Sequence, residues 1–104
     1  MKTPKGMLGV TLHVAWNGEE MPPRLYTVIA KPDDFQAALL PIVSDRVRSF
    51  SVTVDGVDFT LRPTPSLLGW RLLEMEDSGV TSWFTSEFEE AAVEFVRRVH
   101  QALV

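Results

Sequence analysis

The sequence predicts an α+β domain: a two-layer antiparallel sheet of about six strands with helices on one face, its elements in the order ββαββββα. Three observations lead to this. Residues Phe50 to Leu61 hold two alternating runs joined by Asp55-Gly56, the strongest short-range hairpin signal. The stretch after Ser86 carries Phe88, Ala92, Phe95, Val96, Val99 and Leu103 at helical spacing, with Glu90, Glu94, Arg97, Arg98 and Gln101 opposite. The strand-like runs are joined mostly by links too short for a crossover, which makes neighbouring strands antiparallel.

In the central hairpin, a turn at Asp55-Gly56 puts Phe50, Val52, Val54, Val57, Phe59 and Leu61 on one face. Ser49, Ser51, Thr53, Asp58, Thr60 and Arg62 fall on the other. A hairpin with one apolar face must be covered, so this segment indicates a packed core.

Upstream, Leu8, Val10, Leu12, Val14 and Trp16 alternate with Gly9, Thr11, His13 and Ala15, the period of a half-buried strand. Pro22 and Pro23 cannot donate ladder hydrogen bonds, so the next link reads as a loop of about seven residues. Leu25 to Ala30 follows as a second strand, antiparallel to the first. A helix is expected over 33–40, opened by an Asp33/Gln36 capping box, with Phe35, Ala38, Leu39, Ile42 and Val43 on its apolar side. Pro41 costs about 3 kcal/mol inside a helix, so an end near Leu40 with an irregular continuation is expected.

Beyond the hairpin, Arg62-Pro-Thr-Pro-Ser66 reads as a stiff extended connector rather than a strand. Leu68 to Glu76 and Val80 to Thr85 then form a third ribbon around Asp77-Ser78-Gly79. A three-residue loop with Gly79 left-handed pairs Leu72 with Phe84 and Leu73 with Trp83. For the last helix, Ser86 is the expected cap and Glu89 completes the S-x-x-E box, while Glu94 and Arg98 form an i,i+4 pair in the favourable order.

The chain has 104 residues, 45% apolar and 23% charged, which suits one domain with one core. It has no cysteine, which removes disulfide and thiolate chemistry and fits a reducing compartment. The apolar run near the N-terminus is broken by polar residues, and no stretch approaches the roughly 18 apolar residues of a membrane span, so a cytoplasmic protein without membrane contact is expected. The net charge is −4, concentrated late: residues 63–104 carry three basic and seven acidic groups. Such a surface repels phosphate backbones, and no nucleic-acid partner is expected.

The candidate chemistry is sparse. His13 lies among the polar members of its strand and His100 at the border of the last helix's apolar stripe, and neither has a carboxylate at metal-ligand spacing. Phosphate-cradling glycine motifs and nucleophile elbows are absent from the sequence, and no cofactor is expected. Glu74 is the one acid set inside a strongly apolar run. The enzyme alternative is therefore a small hydrolase or ligand-binding domain using Glu74 with His13 or Glu76, in a pocket lined by Trp70 or Trp83.

The leading expectation is a non-enzymatic protein-binding module. In the expected register the third ribbon puts Trp70, Leu72 and Phe84 on one face and Leu73, Met75 and Trp83 on the other. A lone two-layer domain does not bury both sides equally. Either the 17–24 loop or the N-terminal segment covers the surplus, or a partner does, and Trp70, Leu73, Met75 and Trp83 are then contact residues. Glu74, Glu76 and Asp77 set the charge of that partner, which is either a second copy or a basic protein. A homodimeric accessory subunit, a chaperone and an inhibitor of the immunity type all fit such a surface.

Overall fold

A computed structural model of the chain describes residues 4–16, 24–44, 48–64 and 68–104. Six strands and two helices follow in the expected order: β1 (Leu8–Trp16), β2 (Arg24–Ala30), α1 (Pro32–Val43), β3 (Arg48–Val54), β4 (Val57–Thr64), β5 (Gly69–Glu76), β6 (Gly79–Thr85) and α2 (Phe88–Leu103). The strands form one antiparallel sheet in the order β2-β1-β3-β4-β5-β6. α1 carries the chain from the β2 edge back across β1 to β3. α2 returns from the β6 edge and packs on β6, β5, β4, β3 and α1. The loop expected between the first two strands lies at 17–23, outside the described residues.

The central hairpin closes through Asp55 (φ 49) and Gly56 (φ 81). Left-handed conformation at both central residues gives the turn whose twist matches the flanking strands, and Asp-Gly tolerates it. Phe50 then faces Leu61, Val52 faces Phe59 and Val54 faces Val57. All but the half-buried Val57 enter the core beside Val10, Leu12, Val14 and Val28 from the first two strands.

β4 runs further than expected, to Thr64, with Pro63 opposite Trp70. The ladder to β3 ends at Phe50–Leu61, so the amide that Pro63 lacks costs no bond on that side. The residues 65–67 are not described.

α1 also departs from expectation at both ends. It starts at Pro32, whose fixed φ suits the first helical position, and Lys31 precedes it without a side-chain cap. Asp33 and Asp34 therefore lie inside the first turn, and the expected capping box does not form. At the other end the helix passes through Pro41 to Val43. Phe35, Leu39 and Val43 recur every four residues and are all fully buried, a gain of about 1.5–3 kcal/mol per side chain that offsets one missing hydrogen bond near the terminus. Ser44 Oγ donates to Leu40 O at 2.7 Å and closes the last turn. Ala38, expected on the apolar face, is exposed.

α2 begins at Phe88 rather than after a Ser86 cap. Glu87 holds the cap position in an extended conformation, its N–H donating to Thr85 Oγ1 at 3.1 Å. Phe88 packs on Trp70 with ring centroids 4.7 Å apart, which fixes where the helix meets the sheet. Ala91, Ala92, Phe95, Val96 and Val99 are buried. The two helices are joined by His100, which stacks on Phe35, donates from Nε2 to Pro32 O at 3.1 Å and accepts at Nδ1 from the Gln36 amide at 3.3 Å.

Candidate functional site

The third ribbon is where the sequence expectation and the structure differ most. Glu76 pairs with Gly79 across a two-residue turn, Asp77-Ser78, rather than a three-residue one. Leu72 therefore faces Trp83, and Leu73 faces Ser82. A slip of one residue moves every β6 side chain to the opposite face. Trp83 thus lies on the helix side with Trp70 and Leu72, and Phe84 lies on the open side with Leu73 and Met75.

On the helix side, Trp70 is buried against Phe88, and Trp83 is half-buried beneath Arg98, whose guanidinium carbon lies 5.8 Å from the ring centroid. Arg98 donates from Nε to Glu94 at 2.7 Å and from Nη1 to Glu74 at 2.9 Å, and Arg97 also binds Glu94. Glu74, the acid set in an apolar run, is thus held by α2 across the sheet. Hydrogen bonding from Arg97 outweighs burial and, with Arg98, holds the Glu94 carboxyl below the usual carboxylate range.

A carboxyl held low in the folded state stabilises the fold above its unfolded pKa of about 4.3, and that stability is lost as pH falls through the folded value. Glu94→Gln is therefore expected to be less stable than the parent at neutral pH and to converge with it in acid. Urea unfolding from pH 7 to pH 2 reads this, and a constant difference across the range would contradict the clamp.

On the open side, Met75, Val80 and Phe84 are 38%, 64% and 39% exposed, with Leu73 half-buried among them. Phe84 lies across Gly69: a Cβ placed there would come within 2.3 Å of the ring and 2.7 Å of Thr85 O. Arg71 flanks Phe84, its guanidinium carbon 6.0 Å from the ring centroid, and donates to Ser82 Oγ at 2.7 Å. Glu76 and Asp77 are exposed at the turn. Val80 and Phe84 were not among the residues singled out from sequence. The signal for them was the alternative two-residue reading of Asp77-Ser78-Gly79.

Glu74 and Glu76 lie two apart on β5 and share its helix face, with Glu74 held by Arg98, but the His13 arm of the enzyme alternative does not come together. His13 sits on the open face, in the row that runs through Ser51, Thr60 and Leu73, whereas Glu74 is on the helix face. A hollow of about 290 Å³ on the open face brings His13 near Asp58, but Asp58 is engaged by Thr53 Oγ1 and no hydrogen bond joins it to His13. Another hollow, of about 380 Å³, lies where β1 and β3 diverge beyond the His13–Ser51 pair, and it holds no Glu74 or Glu76. Among the described residues no group of three or more His, Asp or Glu is placed to hold a metal ion, and no helix is long and apolar enough to cross a membrane.

Comparison with protein-family models, with curated proteins and with solved structures gives no match to this chain.

Proposed function

We propose that the chain is a non-enzymatic protein-binding module that works through the β5–β6 ribbon. One observation carries this reading: Met75, Val80 and Phe84 present exposed apolar side chains together on one face, beside an edge strand. Leu73 extends the patch inward, and the exposed Glu76 and Asp77 put negative charge at its turn end, Glu76 from the helix face of the strand. Trp70, Trp83 and Glu74 serve the surface from beneath, by fixing the ribbon against α2. The partner is a second copy or a basic protein, and the role is that of an accessory subunit, a chaperone or an inhibitor. We place this activity in the cytoplasm, where a chain without cysteine has no need of oxidising machinery.

Val80→Asp puts a charge into the patch beside Met75, at a position with little packing to lose. Its unfolding free energy is expected to change by less than about 1 kcal/mol, while association is lost. Light scattering of the purified protein, together with affinity capture from the native extract, compares the parent with the variant. A parent that is monomeric and retains nothing, or a variant that associates as the parent does, would overturn the reading.

A further inference from the structure

The two edges of the sheet are guarded differently. A helix packs near each edge, α1 on β2 and α2 on β6, but β2 begins with Arg24 and is followed by Lys31-Pro32. β6 is seven residues long, Gly-Val-Thr-Ser-Trp-Phe-Thr, with neither a charge nor a proline. Natural edge strands of that length are blunted by such groups, because unpaired N–H and C=O groups template a further strand.

The two-residue turn determines which groups are free. Glu76 and Gly79 form the hydrogen-bonded pair that closes it, and alternation then directs the main chain of Gly79, Thr81, Trp83 and Thr85 toward β5. The N–H and C=O of Val80, Ser82 and Phe84 point away from the sheet. Their side chains are on the open face, so the free main-chain groups and the exposed apolar groups belong to the same residues.

Charge discriminates among occupants. Glu76 and Asp77 lie at one end of β6, and Glu87, Glu89 and Glu90 follow its other end, all exposed. Among the described residues no ion pair reaches any of these five. The nearby arginines are engaged elsewhere, Arg97 and Arg98 by Glu94 and Glu74, and Arg71 by Ser82 and Phe84. Antiparallel pairing of β6 with β6 of a second copy, centred on Ser82, sets Asp77 of each copy against Glu87 of the other, two like-charge contacts.

We infer that β6 accepts an extended basic segment of another protein as a seventh strand. The segment hydrogen-bonds the outward groups of Val80, Ser82 and Phe84, lays alternate apolar side chains beside Val80 and Phe84, and places Lys or Arg at its ends against the two acidic groups. This rests on the protein-binding reading above and names its partner and mode.

The test uses two synthetic peptides that share an alternating Val-Thr core of about seven residues, one flanked by lysine pairs and the other by glutamate pairs. Anisotropy titration and amide shift mapping on the intact protein are the readouts. The lysine peptide is expected to bind at least about tenfold more tightly than the glutamate peptide, with the preference shrinking as salt rises from about 50 to about 300 mM. Shifts should centre on Val80, Ser82 and Phe84. Ser82→Pro removes an outward N–H that the β5 ladder does not use, and should weaken binding by at least about tenfold with an unchanged circular dichroism spectrum. The double variant Glu76→Lys, Asp77→Lys, exposed at both positions, should shrink the lysine preference, because only Glu87, Glu89 and Glu90 then attract the peptide's basic ends; an unchanged preference would overturn the inference. Equal binding of both peptides, no binding, or shifts mapping away from β6 would overturn the inference. If Val80→Asp still abolishes association in the preceding experiment, strand addition alone falls. If it does not, the protein-binding reading falls with it. Self-association that Ser82→Pro abolishes, without lysine-peptide binding, would assign the edge to a second copy and likewise overturn the basic partner.

Discussion

Phe95→Ala is expected to lower the unfolding free energy by about 3–5 kcal/mol, a large part of the roughly 5–15 kcal/mol available to a small domain. Phe95 is 0% exposed near the middle of α2, flanked along the helix by the buried Ala91, Ala92, Val96 and Val99. Its ring is fully enclosed in the core cluster shared by the helices and the sheet. Alanine leaves a cavity that a closely packed interior closes only in part. The loss also reaches the ribbon, because α2 carries Arg98, which holds Glu74 and covers Trp83. Urea denaturation measures the difference, and a loss below about 1 kcal/mol would show that this helix face does not carry the core.

Gly69→Ala is the second large effect, with an expected cost of about 1–3 kcal/mol. The added methyl meets the edge of the Phe84 ring and the carbonyl oxygen of Thr85. The ring can swing away, but the backbone oxygen cannot do so without parting β6 from β5. Displacing Phe84 also alters the exposed patch and loosens its contact with Arg71. The variant should therefore lose both stability and association, whereas Val80→Asp loses association alone. Denaturation curves that superimpose on the parent would contradict the packing of Phe84 over Gly69.

Most of the architecture was legible because local chemistry and pattern agreed. Asp55-Gly56 admits the left-handed turn that its hairpin needs, and only one face of the two flanking runs is apolar, so the register has a single solution. The periodicity of α2 likewise has one reading. The third ribbon offers two. Trp70 and Leu72 alternate with Leu73 and Met75 along one strand, and Trp83 adjoins Phe84 on the other. A slip of one residue still leaves an aromatic on each face, and Asp77-Ser78-Gly79 can form a turn of either length.

The end of α1 was obscured for a different reason. Pro41 carries a local penalty visible in the sequence, while the burial of Val43 that offsets it is tertiary. The contact between Arg98 and Glu74, 24 residues apart, is also made only by packing α2 onto β5. The sequence reading therefore grouped Trp83, rather than Phe84, with Leu73 and Met75.

Hydrogen exchange of the β6 amides in the free protein tests this arrangement most directly. The amides of Thr81 and Trp83 are directed toward β5 and should be protected, while those of Val80, Ser82 and Phe84 should exchange near the rate of an open chain. Protection of Val80, Ser82 and Phe84 with fast exchange at Thr81 and Trp83 would mean a three-residue turn, Trp83 outward, and an edge that does not offer the groups the binding account requires.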